Sequence, residues 1–438
     1  MPTLSSTPCE TALPIPGLGG LFLLERVGLE IAQSRAVAGD RWLADFEKGF
    51  WRSDGTEVSV QAVLTLAHRG VSGRLCWRGA AGTGLGARGR FIEGWLALSG
   101  AQWAVRLGRA SITWTPLEAA LLISPHARPL DMVHAGMGSS ARPCPLGRLE
   151  AETFFGRLDD PHRVVPDPLV WGMRAGWVPA EGLRLEALRT IMLGGEGRGS
   201  RLQARDLWRI LWGRAENTSA DALGPEHYPA EDSDQKLAWQ IMLRPGGGIR
   251  RALGMHDLEA LWIYAGEDRL RGLVPTAPAR GYGLRLHPGP GLALSAFFVN
   301  IVDDANLWYH HKVFLSGYTY RGVGLGHPAG GDARTWRANL FFALPEGTRV
   351  RVGVFREKRG YRFNGRGVTA GGFWAWTLSG SVPARGARIA LTLGGMRPWG
   401  GDKKSERIAQ GYAILSIEWP AHLLSSDITR EEVWGLAD

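Results

Sequence analysis

Three pairs of neighbouring carboxylates, Asp159/Asp160, Glu267/Asp268 and Asp303/Asp304, are the residues best suited by type to acid–base work on a glycan. Their spacing is poor for it, because adjacent residues on a strand point to opposite faces. Solvated loop or turn charges are the competing reading for all three pairs. Glu196 and Arg198 differ: they sit two apart in the run GGEGR and would face the same way on an extended chain. That pattern predicts a fixed ion pair at a rim or on an inward loop, with a glycan contact as the alternative. His310 and His311 stand in tandem beside Trp308 and Tyr309, and adjacent histidines make a poor metal site without a third ligand. His327 precedes a proline and a glycine pair and is expected to fix its turn by hydrogen bonds. Asp332 can bond to its own turn in the same way. Gly322 and Gly324 are followed by no helix that would make a phosphate cradle, and no GxSxG nucleophile motif occurs. No catalytic residue, metal site or cofactor is predicted.

The elements that must position these groups show most clearly in residues 166–198. Leu169, Trp171, Met173, Ala175 and Trp177 alternate with Val170, Gly172, Arg174 and Gly176. A turn at 179–182 follows. Leu183, Leu185, Ala187, Ile191 and Leu193 then oppose Arg184, Glu186 and Thr190. Period-two alternation predicts a hairpin with one apolar and one wet face. The pattern has flaws: Arg189 interrupts the apolar face, and Leu188 and Met192 fall on the polar one. Trp171 and Trp177 are expected to face lipid.

The same alternation recurs along the chain. It is seen from residue 57, in a hairpin around Ser99-Gly100, at 148–155, and most cleanly at 348–355, where Val350, Val352 and Val354 oppose Arg349 and Arg351. About fourteen to eighteen strands are expected, with short turns alternating with longer glycine-rich loops and no βαβ rhythm. No blade-length repeat argues for a propeller. No apolar run reaches the roughly 18 residues of a transmembrane helix, which leaves a β-barrel open. A helix capped by Asp206, DLWRILWGRA, is expected to fold into the lumen or lie over the barrel mouth. A short helix is also expected near residues 28–38, and another at 425–436.

Composition fits this reading. The 438 residues carry 61 glycines, 19 tryptophans and a net charge of +9. Tryptophan is favoured where one end is apolar and the other wet, as at a membrane interface. The arginines are spread along the chain rather than clustered, so no nucleic-acid partner is expected. A basic interior meeting an acidic polymer or lipid phosphate explains the spread better. Cys9, Cys76 and Cys144 match no metal or CxxC pattern. Residues 13–24 are apolar, but they hold prolines and glycines and follow no Lys or Arg, so no secretory leader is recognised.

Four blocks resemble the Wzi-type capsule-assembly family of outer-membrane proteins. They are TWTPLEAALLISPHARPL at 113–130, the segments GRLDD, PDPLVWGMR, LRT and GGEGR across 156–198, YAGEDR at 264–269, and GVGLGHPAGGDAR at 322–334. The resemblance implies a large antiparallel transmembrane barrel of about 16–18 strands with short accessory helices. It also implies a lectin-like, non-catalytic role in anchoring capsular polysaccharide at the cell surface. The family's N-terminal periplasmic segment is not recognisable in residues 1–45, and the chain continues past Trp419 rather than ending on an aromatic strand residue. The expected division is an irregular or helical segment at 1–50, a barrel at 51–420 and a short helical tail at 421–438. Lumen or rim candidates for polysaccharide are Arg174, Arg184, Glu186, Glu196, Arg198, Glu267, Asp268, His327, Asp332 and Arg337. Expected partners are surface polysaccharide and outer-membrane lipid. A porin-like channel for anionic solutes or polysaccharide export is the alternative, and a barrel enzyme the third possibility.

Overall fold

The alternating segments do pair, each with its neighbours in sequence. The computed structural model describes residues 13–14, 22–35, 55–68, 71–82, 86–116, 119–125, 127–138, 147–212, 225–267, 277–302, 307–344, 346–362, 370–384, 387–399 and 410–420. Nineteen strands form one antiparallel sheet, of which Leu13–Pro14 is a two-residue addition. The other eighteen are β1 (Phe22–Arg35), β2 (Gly55–His68), β3 (Val71–Gly82), β4 (Gly86–Ser99), β5 (Trp103–Ala110), β6 (Leu130–Gly138), β7 (Arg148–Arg157), β8 (Leu169–Ala180) and β9 (Leu183–Leu193). They continue as β10 (Asp234–Leu243), β11 (Asp257–Glu267), β12 (Pro278–Gly289), β13 (Leu292–Asn300), β14 (Ala333–Ala343), β15 (Arg349–Arg359), β16 (Gly371–Ala384), β17 (Ala387–Trp399) and β18 (Gln410–Pro420). β1 pairs with both β2 and β18, so the sheet closes on itself and leaves no edge. In lipid this closure matters, because an unpaired backbone group has no water to bond.

β1 corrects two expectations. The helix expected near residues 28–38 is not formed: residues 22–35 are strand. The barrel therefore starts before residue 50. The physical reason is ring closure, which needs a strand between β18 and β2. The 425–436 helix falls outside the described residues.

Connections differ at the two ends. Among the described residues, 100–102, 181–182 and 290–291 are short turns at one end, while the strands at the other end are joined through the longer segments 111–129, 158–168, 194–233 and 301–332. Short periplasmic turns and long outer loops are the habit of outer-membrane barrels. The turn at 179–182 depends on Gly182, whose φ is +83° and whose absent Cβ would meet the Arg244 carbonyl oxygen at 1.9 Å.

A barrel of this size is wide enough to leave an aqueous channel unless something fills it. Here the long loops fill it. Leu121, Leu122 and Ile123 from 111–129, Leu158 and Val165 from 158–168, and Trp308, Phe314, Tyr318 and Leu325 from 301–332 form one buried cluster with inward strand residues. Those wall residues include Met132, Phe154, Val170, Leu188, Met192, Ala238, Ile263 and Val299. Leu188 and Met192 thus do face the lumen, and they are apolar because the plug packs on them. Phe154 lies flat over Gly172, where a Cβ would sit 2.0 Å from the ring.

The helix α1 (Ala204–Leu211) lies outside the barrel, neither in the lumen nor over the mouth as expected. Ile210 packs on Ile191 and Leu193, with Leu169, Trp171, Met173, Leu202 and Leu207 around them. Its N-cap is Gln203 rather than Asp206; Asp206 accepts the Gln203 N–H at 2.9 Å and closes a capping box. Arg189 points outward beneath the last turn and donates to the carbonyls of Ile210, at 2.9 Å, and Leu211. A cation there complements the helix C-terminus. The helix covers the one charge that breaks the apolar face of β9. Its free side presents Trp208 and Trp212, each 64% exposed, in an edge-on pair.

Candidate functional site

Two polar assemblies organise the lumen. The first locks the plug to the wall. On β10, Asp234 and Lys236 are consecutive inward positions, and on β11 Glu267 faces them. Lys236 Nζ lies 2.5 Å from Asp234 and 2.6 Å from Glu267, and 4.3 Å from the centre of the Tyr318 ring. Both Glu267 oxygens accept the Tyr309 backbone N–H at 3.0 Å. Tyr309 Oη donates to the Leu121 carbonyl at 2.7 Å and accepts the His327 N–H at 3.0 Å. Burial raises this phenol far above its usual range, so it stays a neutral donor. Trp308 Nε1 donates to the Ala277 carbonyl at 2.9 Å. From a second loop, Arg163 donates to the carbonyls of Gly317, at 2.9 Å, and Thr319. Asp160 accepts the Arg321 N–H at 2.8 Å, and Asp159 pairs with the Arg321 guanidinium at 2.9 Å.

The second assembly is a ladder of charge across β7–β10. Arg174 donates to Glu186 at 2.9 Å through Nε and to Glu152 through Nη1. Arg184 bonds Glu186 through Nε at 2.6 Å and Glu150 through Nη2. Gln240 Nε2 donates to Glu186 at 2.6 Å and its oxygen accepts from Thr115 at 2.8 Å. Trp114 Nε1 reaches Glu152 at 3.0 Å, so this ladder too is tied to a loop that enters the lumen. Four strands present these groups, with Glu152 opposite Arg174 and Glu186 opposite Gln240. Each charge is engaged, as buried charge requires.

A closed antiparallel ring, short turns at one end, and long loops folded into the lumen describe an outer-membrane barrel carrying its own plug. The family model for the capsule assembly protein Wzi matches residues 28–234 and 255–401, most of the chain. The chain belongs to the Wzi capsule-assembly family.

Among solved structures, the chain is similar to Escherichia coli Wzi, an outer membrane protein involved in group 1 capsule assembly and described as a carbohydrate binding beta-barrel. The TM-score is 0.68 at 16% identity, covering 90% of this chain and 84% of that one. It is also similar in fold to Acinetobacter baumannii OccAB2, with a TM-score of 0.50 at 9% identity, covering 90% of this chain and 97% of that one. No curated protein sequence matches it. Wzi-family membership sets the protein in the outer membrane.

The Wzi-family barrel gathers some of the expected site residues and scatters others. Arg174, Arg184 and Glu186 meet in the charge ladder. Glu267 belongs to the plug anchor. His327 is buried there too, and its Nδ1 accepts the Ala329 N–H at 3.1 Å, which fixes the turn as expected. Asp332 is buried at the end of the plug loop and accepts the Arg362 N–H at 2.9 Å. Arg337 faces inward from β14 on the far wall. Asp268 lies outside the described residues, as do Asp303 and Asp304. Glu196 and Arg198 do not form the ion pair expected of them. Arg198 instead donates to the carbonyls of Pro229 and, at 3.0 Å, Asp232, while Glu196 is exposed. The glycine-rich backbone at 194–197 takes positive φ values and is not extended, so the two side chains part. Lys236, Tyr309, Arg163, Glu150 and Glu152 were missed. The available signal for Lys236 was the inward pair Asp234/Lys236 two apart on a strand.

Proposed function

We propose that this protein binds surface polysaccharide at the cell exterior, as a plugged and non-catalytic barrel. The carrying observation is the loop plug, set in a barrel of the family whose solved relative is described as carbohydrate binding. A plug fixed by buried ion pairs and an apolar cluster supports a static binding surface over a diffusion path, which favours this reading over the porin-like alternative. The exposed groups at the mouth, Glu196 and the Arg321–Asp159 pair, suit glycan hydroxyls and acidic sugars. Arg337 would meet a chain that enters the lumen on the far wall. Glu267, Arg198, His327 and Asp332 act by shaping the loops, and Arg174, Arg184 and Glu186 by holding the wall beneath them. Catalysis is not part of the proposal, because Asp159, Asp160 and Glu267, the described members of the carboxylate pairs, serve as loop and plug ties. Nucleic acid has no place in it.

Deletion of the gene in its own bacterium tests the proposal. Cell-bound polysaccharide is expected to fall and to appear in the medium. Unchanged cell-bound polysaccharide, with no binding by the purified barrel, would refute it.

A further inference from the structure

The outer wall of β13–β17 carries charge where lipid is expected. Phe298, Trp336, Arg356, Trp374 and Arg397 are successive cross-strand partners along one rung. Toward the long-loop end, Arg334 is paired with Lys358 on the next outward rung. These side chains face away from the lumen, since they alternate with the buried Ala333, Thr335, Glu357, Phe373 and Met396. Trp336 and Trp374 are 54% and 51% exposed. Immediately below them lie the outward Val354, Trp376, Val352 and Leu378, an apolar belt.

Aromatic rings organise the cations. Arg334 and Lys358 each lie 4.5 Å from the centre of the Tyr361 ring, and Arg356 lies 5.1 Å from that of Trp374. Arg334 Nε also donates to Asn300 at 3.0 Å. On the opposite wall, outward arginines stand beside carboxylates: Arg109 lies 2.5 Å from Asp131 and Arg157 2.5 Å from Asp167. Across β13–β17 the only acidic residue is Glu357, which points inward beside Arg359. Four cations therefore share an outward face on which these strands place no carboxylate.

We propose that this face binds the phosphorylated headgroup of an outer-leaflet glycolipid. Residues two apart on a strand are about 6.6 Å apart and neighbouring strands about 4.8 Å, so two rungs over four strands match one headgroup bearing two phosphates. Guanidinium forks suit phosphate oxygens, and Trp and Tyr rings suit the boundary between headgroup and hydrocarbon. The site stands at the long-loop end, which is the outer leaflet. It is independent of whether the plug surface binds glycan.

The test uses the full-length barrel in mixed micelles and native mass spectrometry, with bisphosphorylated lipid A as the probe. Retention of the lipid by the wild-type chain, its loss on added salt, and weak retention of enzymatically dephosphorylated lipid A are expected. At about 1 kcal/mol for each cation near a charged surface, each of R334Q, R356Q, K358Q and R397Q should weaken binding about fivefold. The quadruple variant should lose roughly a hundredfold or more, while R356K keeps most of the binding. Excess inorganic phosphate should displace little, because the acyl chains contribute on the apolar belt. Heat-modifiable gel mobility checks that the variants assemble. If the quadruple variant assembles poorly, the wild-type comparison of the two lipids decides alone. Equal retention of both lipids, or of the bisphosphorylated lipid by wild-type and quadruple variant, overturns the proposal.

Discussion

Replacing Lys236 with Met should open the plug. Lys236 is buried on the wall between Asp234 and Glu267, at 2.5 and 2.6 Å, and Glu267 in turn holds the Tyr309 backbone. Methionine keeps the volume and removes the charge. Two carboxylates are then left buried without their cation, a loss of about 3–5 kcal/mol. The barrel wall cannot relax, since each strand is hydrogen-bonded on both sides. The plug can: withdrawing 301–332 lets water reach the carboxylates. A shift of that size changes the ratio of seated to withdrawn plug by about two to three and a half orders of magnitude. Single-channel recording in planar bilayers should show long open events in Lys236→Met and rare ones in the wild type. Limited proteolysis should cut within 301–332. Adding Asp234→Asn and Glu267→Gln to Lys236→Met removes the stranded charges and should restore most of the closed state. A variant that stays closed and protease-resistant would refute the role given to this ion pair.

Three further outcomes follow from the same contacts. Arg189→Met removes the donor to the last carbonyls of α1 and should release the helix from the wall, seen as increased quenching of Trp208 by an aqueous quencher in vesicles. Arg174→Met removes the guanidinium that bridges Glu152 and Glu186, while Arg184 and Gln240 still hold Glu186 and Trp114 still holds Glu152, so it should lower the temperature of heat-modifiable unfolding at a cost of about 1–3 kcal/mol. Burial raises the phenols of Tyr309 and Tyr318, so the stability they contribute is fully present below their unfolded pKa of about 10 and is lost as pH rises beyond it. Protease resistance of 301–332 should therefore hold through neutral pH and fail in alkali, and Tyr318→Phe should delay the failure.

The barrel was legible from sequence because its signal is local. On β8 the alternation of Trp171, Met173 and Trp177 with Gly172 and Arg174 marks outer wall and lumen, although Trp177 faces outward in the open while Trp171 and Met173 pack toward α1. The two flaws in the same pattern on β9 carried information that alternation alone could not release. Leu188 and Met192 are apolar on the wet face because loops distant in sequence pack there, and Arg189 is charged on the apolar face because α1 covers it. Both causes are tertiary. β1 was misread because closure of the ring is a property of the whole sheet and leaves no local mark. The charge ladder was half visible, as Arg174, Arg184 and Glu186 on alternate positions, while its partners Glu150 and Glu152 come from the preceding strand. Glu196 and Arg198 failed as a pair because the prediction assumed an extended backbone, and glycine allowed another.

Binding of polysaccharide purified from the surface of the encoding bacterium, measured by titration calorimetry on the barrel in nanodiscs, tests the central claim most directly. Saturable binding, with the glycan recovered at its original chain length, is the expected result. Absence of heat at any concentration, together with steady conductance from the same preparation, would contradict the account and favour a channel.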